Sequence, residues 1–421
     1  MLAKSQKFSL YDAPHQMEPL LPGEHRLGPL LEQAHDLIRA CDQLNGACQP
    51  GALVDLRTLL LAMNSYYSNK IEGQHTLPLE IEQALHNDYS ADADKARRQR
   101  LALAHMASEQ ALQAQWAGWS VAEVWSAQQV CGIHHDLFMR LPKADRVLAA
   151  TDANADFSPH ADQSSTTHET LQPGVLRSQE VSVGIHAAPA AAQLPAFLDR
   201  WGSFYGGVRR GEIQVLALAA AHHRLAWIHP FRDGNGRVAR LHSYLVLGHL
   251  GLTNGLWSPL RGFARSHDSY YALLSAADEP RAGDLDGRGN LTERGLEQWM
   301  GYVLTLCLDQ VRFMTGLLNL STMKDRIAAC LSYEQSVVKL GVRTEALRAL
   351  HYLFATQADL ERADFKAMLG LGDRLATAQV SALLKRGLLA SDSPYGKLRF
   401  GVPQHALRFY FPGLWPEAEA G

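Results

Sequence analysis

His229, Asp233, Arg237 and Arg240 fall within one short run, His229-Pro230-Phe231-Arg232-Asp233-Gly234-Asn235-Gly236-Arg237-Val238-Ala239-Arg240. Each of these types has a chemical use there. A histidine accepts a proton near neutral pH. An aspartate holds Mg²⁺, which takes one or two carboxylates and fills its shell with substrate phosphates. Arg237 and Arg240, three apart, share one side of a helical turn and can grip different phosphate oxygens. Gly234, Asn235 and Gly236 leave the backbone open to an anion, and Phe231 reads as the anchor that seats the loop. Ile213 to Ile228 and Val238 to Leu250 read as helices on either side. The run is then a loop feeding a helix N-terminus, where free N–H groups and the macrodipole favour phosphate.

Three further groups of residues bear on that chemistry. Leu53 to Tyr67 has leucines at helical spacing and leads into Ser68-Asn69-Lys70-Ile71-Glu72-Gly73. Ser68 and Glu72, four apart, share a helix face, and Gly73 is a natural stop. In Gly174 to Ile185, Val181, Val183 and Ile185 alternate with smaller residues, a β pattern expected to form a hairpin with an open edge. Tyr271 and Asp278 lie seven apart in a segment rich in Ala and Leu.

The long run resembles the signature of the Fic family, His-x-Phe-x-(Asp/Glu)-Gly-Asn-Gly-Arg-x-x-Arg, at every specified position. Members of that family are mainly known for moving AMP from ATP to a Ser, Thr or Tyr hydroxyl of a target protein; some remove AMP. The resemblance implies His229 as the base, Asp233 as the Mg²⁺ ligand, and Gly234, Asn235 and Gly236 with Arg237 as the α/β-phosphate site. Arg240 would take the γ-phosphate. Ser68 to Gly73 resembles the family's inhibitory helix, (Ser/Thr)-x-x-x-Glu-(Gly/Asn), in which Glu72 would pair with Arg240; Asn69 departs from a serine common there. Gly174 and Arg177 resemble the opening of the family's target-docking flap, which places Val181, Val183 and Ile185 on it by β-augmentation. Tyr271 resembles an adenine-pocket tyrosine. Its companion Asn is Asp278 here, and a carboxylate accepts hydrogen bonds but does not donate them.

The 421 residues are 47% hydrophobic and 20% charged, with net charge −3. No global basic field points to nucleic acid or an anionic membrane. Five cysteines without Cys-x-x-Cys spacing read as reduced thiols, and the polar N-terminus lacks an apolar export segment. These features, with ATP as the implied co-substrate, give the cytoplasm as the expected location. Helices are expected over Leu27 to Leu44, Leu53 to Lys70, Leu79 to Asn87, Ala96 to Ala114 and Val121 to Leu141. Thr151 to Pro173 reads as a long loop whose His160 and His168 lack further ligands at metal spacing. Beyond a break at Thr322 to Asp325, helices over Thr344–Ala355, Arg362–Leu369 and Leu375–Arg386 precede a strand–turn–strand, an order that resembles a winged helix-turn-helix.

The expected fold is mainly α: a Fic-fold helical core with a small β-hairpin flap, plus a C-terminal winged-helix-like domain. The expected divisions are 1–114 with the inhibitory helix, 115–318 as catalytic core, and 325–421, dispensable for chemistry. The expected function is protein adenylylation using ATP and Mg²⁺, autoinhibited by Glu72, with a hydroxyl-bearing protein as substrate. The alternatives are a hydrolase removing AMP through the same site and a regulatory DNA-binding protein. Lys385, Arg386, Arg374 and Lys397 are the basic residues a DNA role would use. A second copy of the chain is the other partner considered.

Overall fold

A computed structural model describes residues 11–47, 54–148, 169–183, 186–208, 211–356 and 358–414. Six helices come first: α1 (Glu24–Ala47), α2 (Val54–Ile71), α3 (Pro78–Leu85), α4 (Ala93–Trp116), α5 (Val121–Val124) and α6 (Ala127–Met139). The single helix expected over Val121 to Leu141 is two. Ser126 accepts a hydrogen bond from the Gln129 N–H and starts α6 afresh, as Ser120 does for α5 through Glu123; short hydroxyl side chains favour this N-cap role over a helix interior. Most of the expected long loop, with His160 and His168, lies outside the described residues.

The β pattern is realised only in part. Strands β1 (Ser182–Val183) and β2 (His186–Ala187) pair antiparallel, Ser182 opposite Ala187 and Val183 opposite His186. The Ala188 N–H adds a bond to the Val181 carbonyl, so Val181 flanks the ladder, and Ile185 lies outside the described residues. The stretch from Gly174 to Gln179 is not strand, because Arg177 ties it to the neighbouring loop as set out below.

Then come α7 (Leu194–Gly206), α8 (Glu212–Ile228), α9 (Asn235–His249), α10 (Leu260–Arg265), α11 (His267–Asp278) and α12 (Glu293–Leu317). Helix α8 is buried almost all round from Val215 to Ile228, the mark of a helix wrapped by others. Helices α1, α7, α9 and α12 pack on it, and α2 packs on α4 and α10. Trp201 and Trp299, both fully buried, donate their indole N–H groups to the α8 carbonyls of Ala221 and Ala219 at 3.1 and 2.7 Å.

The break expected at Thr322 to Asp325 is absent. Asn319 caps α13 (Leu320–Tyr333) by accepting from the N–H groups of Ser321 and Thr322, so those residues begin a helix. Helices α14 (Leu347–Thr356), α15 (Arg362–Leu369) and α16 (Asp373–Lys385) precede β3 (Leu389–Ala390) and β4 (Arg399–Phe400), paired antiparallel. This is the order the sequence implies. A last helix, α17 (Gln404–Tyr410), was not expected; it packs on α13. Beyond it the chain returns to the core, where the Tyr67 hydroxyl of α2 donates to the Leu414 carbonyl at 3.1 Å and Arg261 Nε to that of Gly413 at 3.0 Å. No single helix among the described residues is long and apolar enough to cross a membrane.

Burial holds several histidines neutral. His105 and His222 are pushed down to about 3, and His134, His229 and His242 to about 4, desolvation being the largest cause each time. Their unfolded values lie near ~6.5. Between those limits the unfolded chain binds more protons, so stability falls as pH falls. Burial raises Glu109 to about 8, which acts oppositely but is one group against five. The melting temperature is expected to drop steadily from pH 7 to pH 5 in a fluorescence melt; a flat profile would mean the histidines are hydrated.

Candidate active site

Helix α8 ends at His229, whose φ of 48° is left-handed. A non-glycine residue pays strain there, and neighbouring bonds hold it. Buried Arg177 donates from Nε to the His229 carbonyl at 2.8 Å, and from Nη1 and Nη2 to the carbonyls of Gln179 and Pro189 at 2.8 and 2.5 Å. Its own N–H reaches the Pro230 carbonyl. One guanidinium thereby fixes the hairpin base to the loop. The His229 imidazole is neutral at physiological pH, since desolvation, Arg177 and His186 all disfavour its proton.

The loop that follows is closed by its own side chains. Asn235 accepts from the Phe231 N–H and donates to the Phe231 carbonyl, both at 2.8 Å. Phe231 is fully buried and stacks on His134 with centroids 3.9 Å apart. His134 Nδ1 accepts from the Gly174 N–H at 2.7 Å, which assigns the ring proton to Nε2, facing the Asp233 carbonyl at 3.2 Å. Helix α9 begins at Asn235, earlier than the expected Val238, so the signature itself forms its first turn. The first N–H groups of a helix have no carbonyl within it, and here they crown the loop. Two glycines make the approach possible. Gly234 has φ +81°, with space for a Cβ already taken by the Phe138 ring at 2.5 Å. A Cβ on Gly236 would lie 2.4 Å from Glu72 Oε1.

Both signature arginines are buried and both meet the end of α2. Arg240 Nε donates to Ser68 Oγ at 3.2 Å, and Nη2 to the Ser68 carbonyl at 3.0 Å and to Glu72 Oε1 at 2.6 Å. Burial alone would push the Glu72 carboxyl up, yet Arg240 and Arg237 hold it below the usual carboxylate range. Arg237 Nη2 donates to Gln74 Oε1 at 2.9 Å. Sequence reasoning missed Gln74, His134 and Tyr270, the last of which comes from α11 to lie beside Arg240, its hydroxyl 3.0 Å from His222 Nε2. Nothing in their spacing signals these roles; they follow from how α2, α6 and α11 pack.

Asp233 takes the Gly234 N–H on Oδ1 at 2.6 Å, and its Oδ2 lies 3.9 Å from Arg237 Nη1. No cluster of three metal-type side chains occurs among the described residues. A single half-exposed carboxylate beside a nest of N–H groups fits a Mg²⁺ that draws its remaining ligands from phosphates and water. Tyr271 is partly exposed, and the Glu72 and Arg240 charges reach its hydroxyl. Asp278 is engaged by buried His223, 3.0 Å from Nε2. Val181 and Val183 lie at the hairpin, across the Arg177 tie from His229.

Residues 124–247, from the end of α5 through nearly all of α9, match the family model described as the Fic/DOC family. The match takes in the signature loop and the helices on both sides of it. The chain is 27% identical over 186 residues to the protein adenylyltransferase Fic of Aedes aegypti, covering 43% of this chain and 35% of that one. It is 30% identical over 112 residues to the protein of the same name from Drosophila grimshawi, covering 26% and 22%. The chain thus spans about a third or less of the length of these relatives. A Fic family protein from Desulfovibrio desulfuricans aligns over 93% of this chain and 99% of its own, with 16% identity and a TM-score of 0.47. Fic-1 from C. elegans aligns over 69% and 72%, also at 16% and 0.47. Ser68, Glu72 and Tyr271 lie outside the Fic domain match. Within it, the Asn235 side chain is the tie that shapes the loop. Asn235→Ala should lower stability by about 1–3 kcal/mol, because two buried backbone groups lose their partners; urea denaturation checks this, and an unchanged midpoint would remove Asn235 from that role.

Proposed function

We propose that this protein transfers AMP from ATP to a hydroxyl side chain of a target protein, and that α2 holds it in check. The observation that carries the reading is a neutral imidazole at the C-cap of α8, followed directly by a loop that opens onto the N-terminus of α9, whose first turns carry both signature arginines. In the reaction the target hydroxyl gives its proton to His229. Its oxygen then bonds the α-phosphorus, the bond from that phosphorus to the β-phosphate oxygen breaks, and pyrophosphate leaves. The nest and Arg237 offset charge as it develops on the phosphate oxygens. Mg²⁺ held by Asp233 would supply further charge neutralisation at the phosphates. Tyr271 would flank the base, and the hairpin edge at Val181 and Val183 would receive the target segment.

Glu72 occupies the guanidinium that a γ-phosphate would use. Charge-assisted pairs of this kind are among the strong hydrogen bonds, and a bias of ~3 kcal/mol corresponds to roughly a hundredfold change in population. Labelling with α-³²P-ATP tests both parts. Glu72→Gly should raise self-labelling by up to about a hundredfold. Adding His229→Ala should cut it by about 10²–10⁴-fold, and adding Arg240→Ala should cancel the gain. Equal labelling by wild type and Glu72→Gly would refute the inhibitory role. Absence of label on every variant and on lysate proteins would refute AMP transfer. Faster loss of AMP from premodified protein with wild type than with Glu72→Gly would replace it with AMP removal.

The C-terminal unit, winged-helix-like in its element order, fits a protein-contact role better than base reading. Arg386 at the end of α16 is bound bidentately by fully buried Glu334 at 2.6 and 2.7 Å, and Lys397 lies 3.5 Å from Glu361. Ala376 and Ala382 on α16 offer nothing to a base edge. The unit also reaches α2, through Leu414 and Tyr67, so its removal should not be neutral. A chain ending at Tyr410, if folded by its melt, should self-label a few-fold more than wild type and exchange α2 amides faster. Identical exchange would show that the contact does not brace α2.

A further inference from the structure

On the far side of Arg237 from Arg240 opens a cleft of about 330 Å³ walled by Gln74, Arg97, Phe138, Arg146, Asp233 and Arg237. Its charge is unbalanced. Asp145, also on the wall, is bound bidentately by Arg100. Arg146 directs its Nε and Nη2 to the carbonyls of Leu141 and Met139, which leaves its charge without a carboxylate. Arg97 makes no hydrogen bond or ion pair among the described residues. Arg237 is 2% exposed, and its Nε is buried without a partner. A buried guanidinium N–H left unpaired is costly, and planar guanidinium forks match phosphate oxygens. Three arginines, one of them buried with a free donor, thus face one small space that opens beside the half-exposed Asp233 carboxylate.

We propose that this cleft is a subsite for pyrophosphate, taking the leaving group from the nest through Arg237 to Arg97. The leaving-group role rests on the AMP-transfer reading; binding itself does not. Loss of pyrophosphate from the nest leaves Arg237 as the shared wall of both spaces, with Arg97 and Arg146 offering the next positive charge. Gln74 holds Arg237 Nη2 in the resting chain and is therefore the group the anion displaces.

Isothermal titration of sodium pyrophosphate with MgCl₂ into the full chain, without ATP, tests the site. Arg97→Ala should weaken binding about tenfold or more, as loss of a charged hydrogen bond does. Arg97→Lys should recover part of this, and Gln74→Ala should tighten binding. ATP affinity should change by less than about twofold in Arg97→Ala, and a melt confirms that each variant is folded. Unchanged pyrophosphate affinity in Arg97→Ala overturns the proposal. So does an equal fall in ATP affinity, which would make Arg97 part of the general field. In the Glu72→Gly background, Arg97→Ala should also raise the pyrophosphate inhibition constant for labelling about tenfold. If that constant stays put while binding falls, the anion comes from solution and the leaving-group role is overturned. Binding through Arg97 in a protein that labels nothing would instead sink only the transfer reading.

Discussion

A guanidinium buried to 1% exposure sits at the centre of this molecule. Arg240 cannot shed its proton, so its charge must be met wherever it lies, and an uncompensated buried charge is among the costliest features a fold can carry. The compensation comes from Ser68 on α2 and from Glu72, the residue after its end. That requirement fixes where the C-terminal end of α2 sits, and with it Gln74 against Arg237. The end of α2 is placed by electrostatics as much as by the apolar packing of Leu56, Leu60 and Met63 farther back along the helix. A γ-phosphate, on the reading above, would satisfy the same donor, so one charge requirement both completes the resting core and defines the competitor that relieves it.

Around this centre the loop is rigid for reasons internal to it. Asn235 closes Phe231 at both backbone atoms, His134 bridges Gly174 to Asp233, and Arg177 carries the hairpin base to His229. Preorganised donors are worth most where they need not reorganise during reaction. His134 can serve as that bridge only while neutral, since its Nδ1 must accept; burial, which pushes it down to about 4, and the bonding pattern agree.

The signature was legible because its chemistry is contiguous: base, carboxylate, nest and arginines follow one another in the chain, and the glycines announce their own conformations. Ser68 and Glu72 were legible as a helical i, i+4 pair, and their meeting with Arg240, some 170 residues away, came from the resemblance rather than from spacing. Gln74, His134 and Tyr270 were not legible, because each acts through a contact that only packing creates. Helix ends followed the same division. Gly73 stops α2 as its left-handed φ of 66° requires, while Ser126 and Asn319 acted as caps where apolar periodicity suggested continuity in one case and a break in the other. The β segment shrank to two-residue strands, and in the stretch before it the Arg177 N–H bonds the Pro230 carbonyl while its guanidinium takes the Gln179 carbonyl.

The bond from Tyr67 to the Leu414 carbonyl joins residues 347 positions apart. Chains fold from the N-terminus as they emerge from the ribosome. Helices α2 and α9, and the Arg240 pair between them, can therefore form while more than a hundred residues remain to be made. The brace on α2 closes only after position 414 has been translated. For that interval α2 is held by its packing on α4 and by the Arg240 pair, and later by α10, without the bond to Leu414.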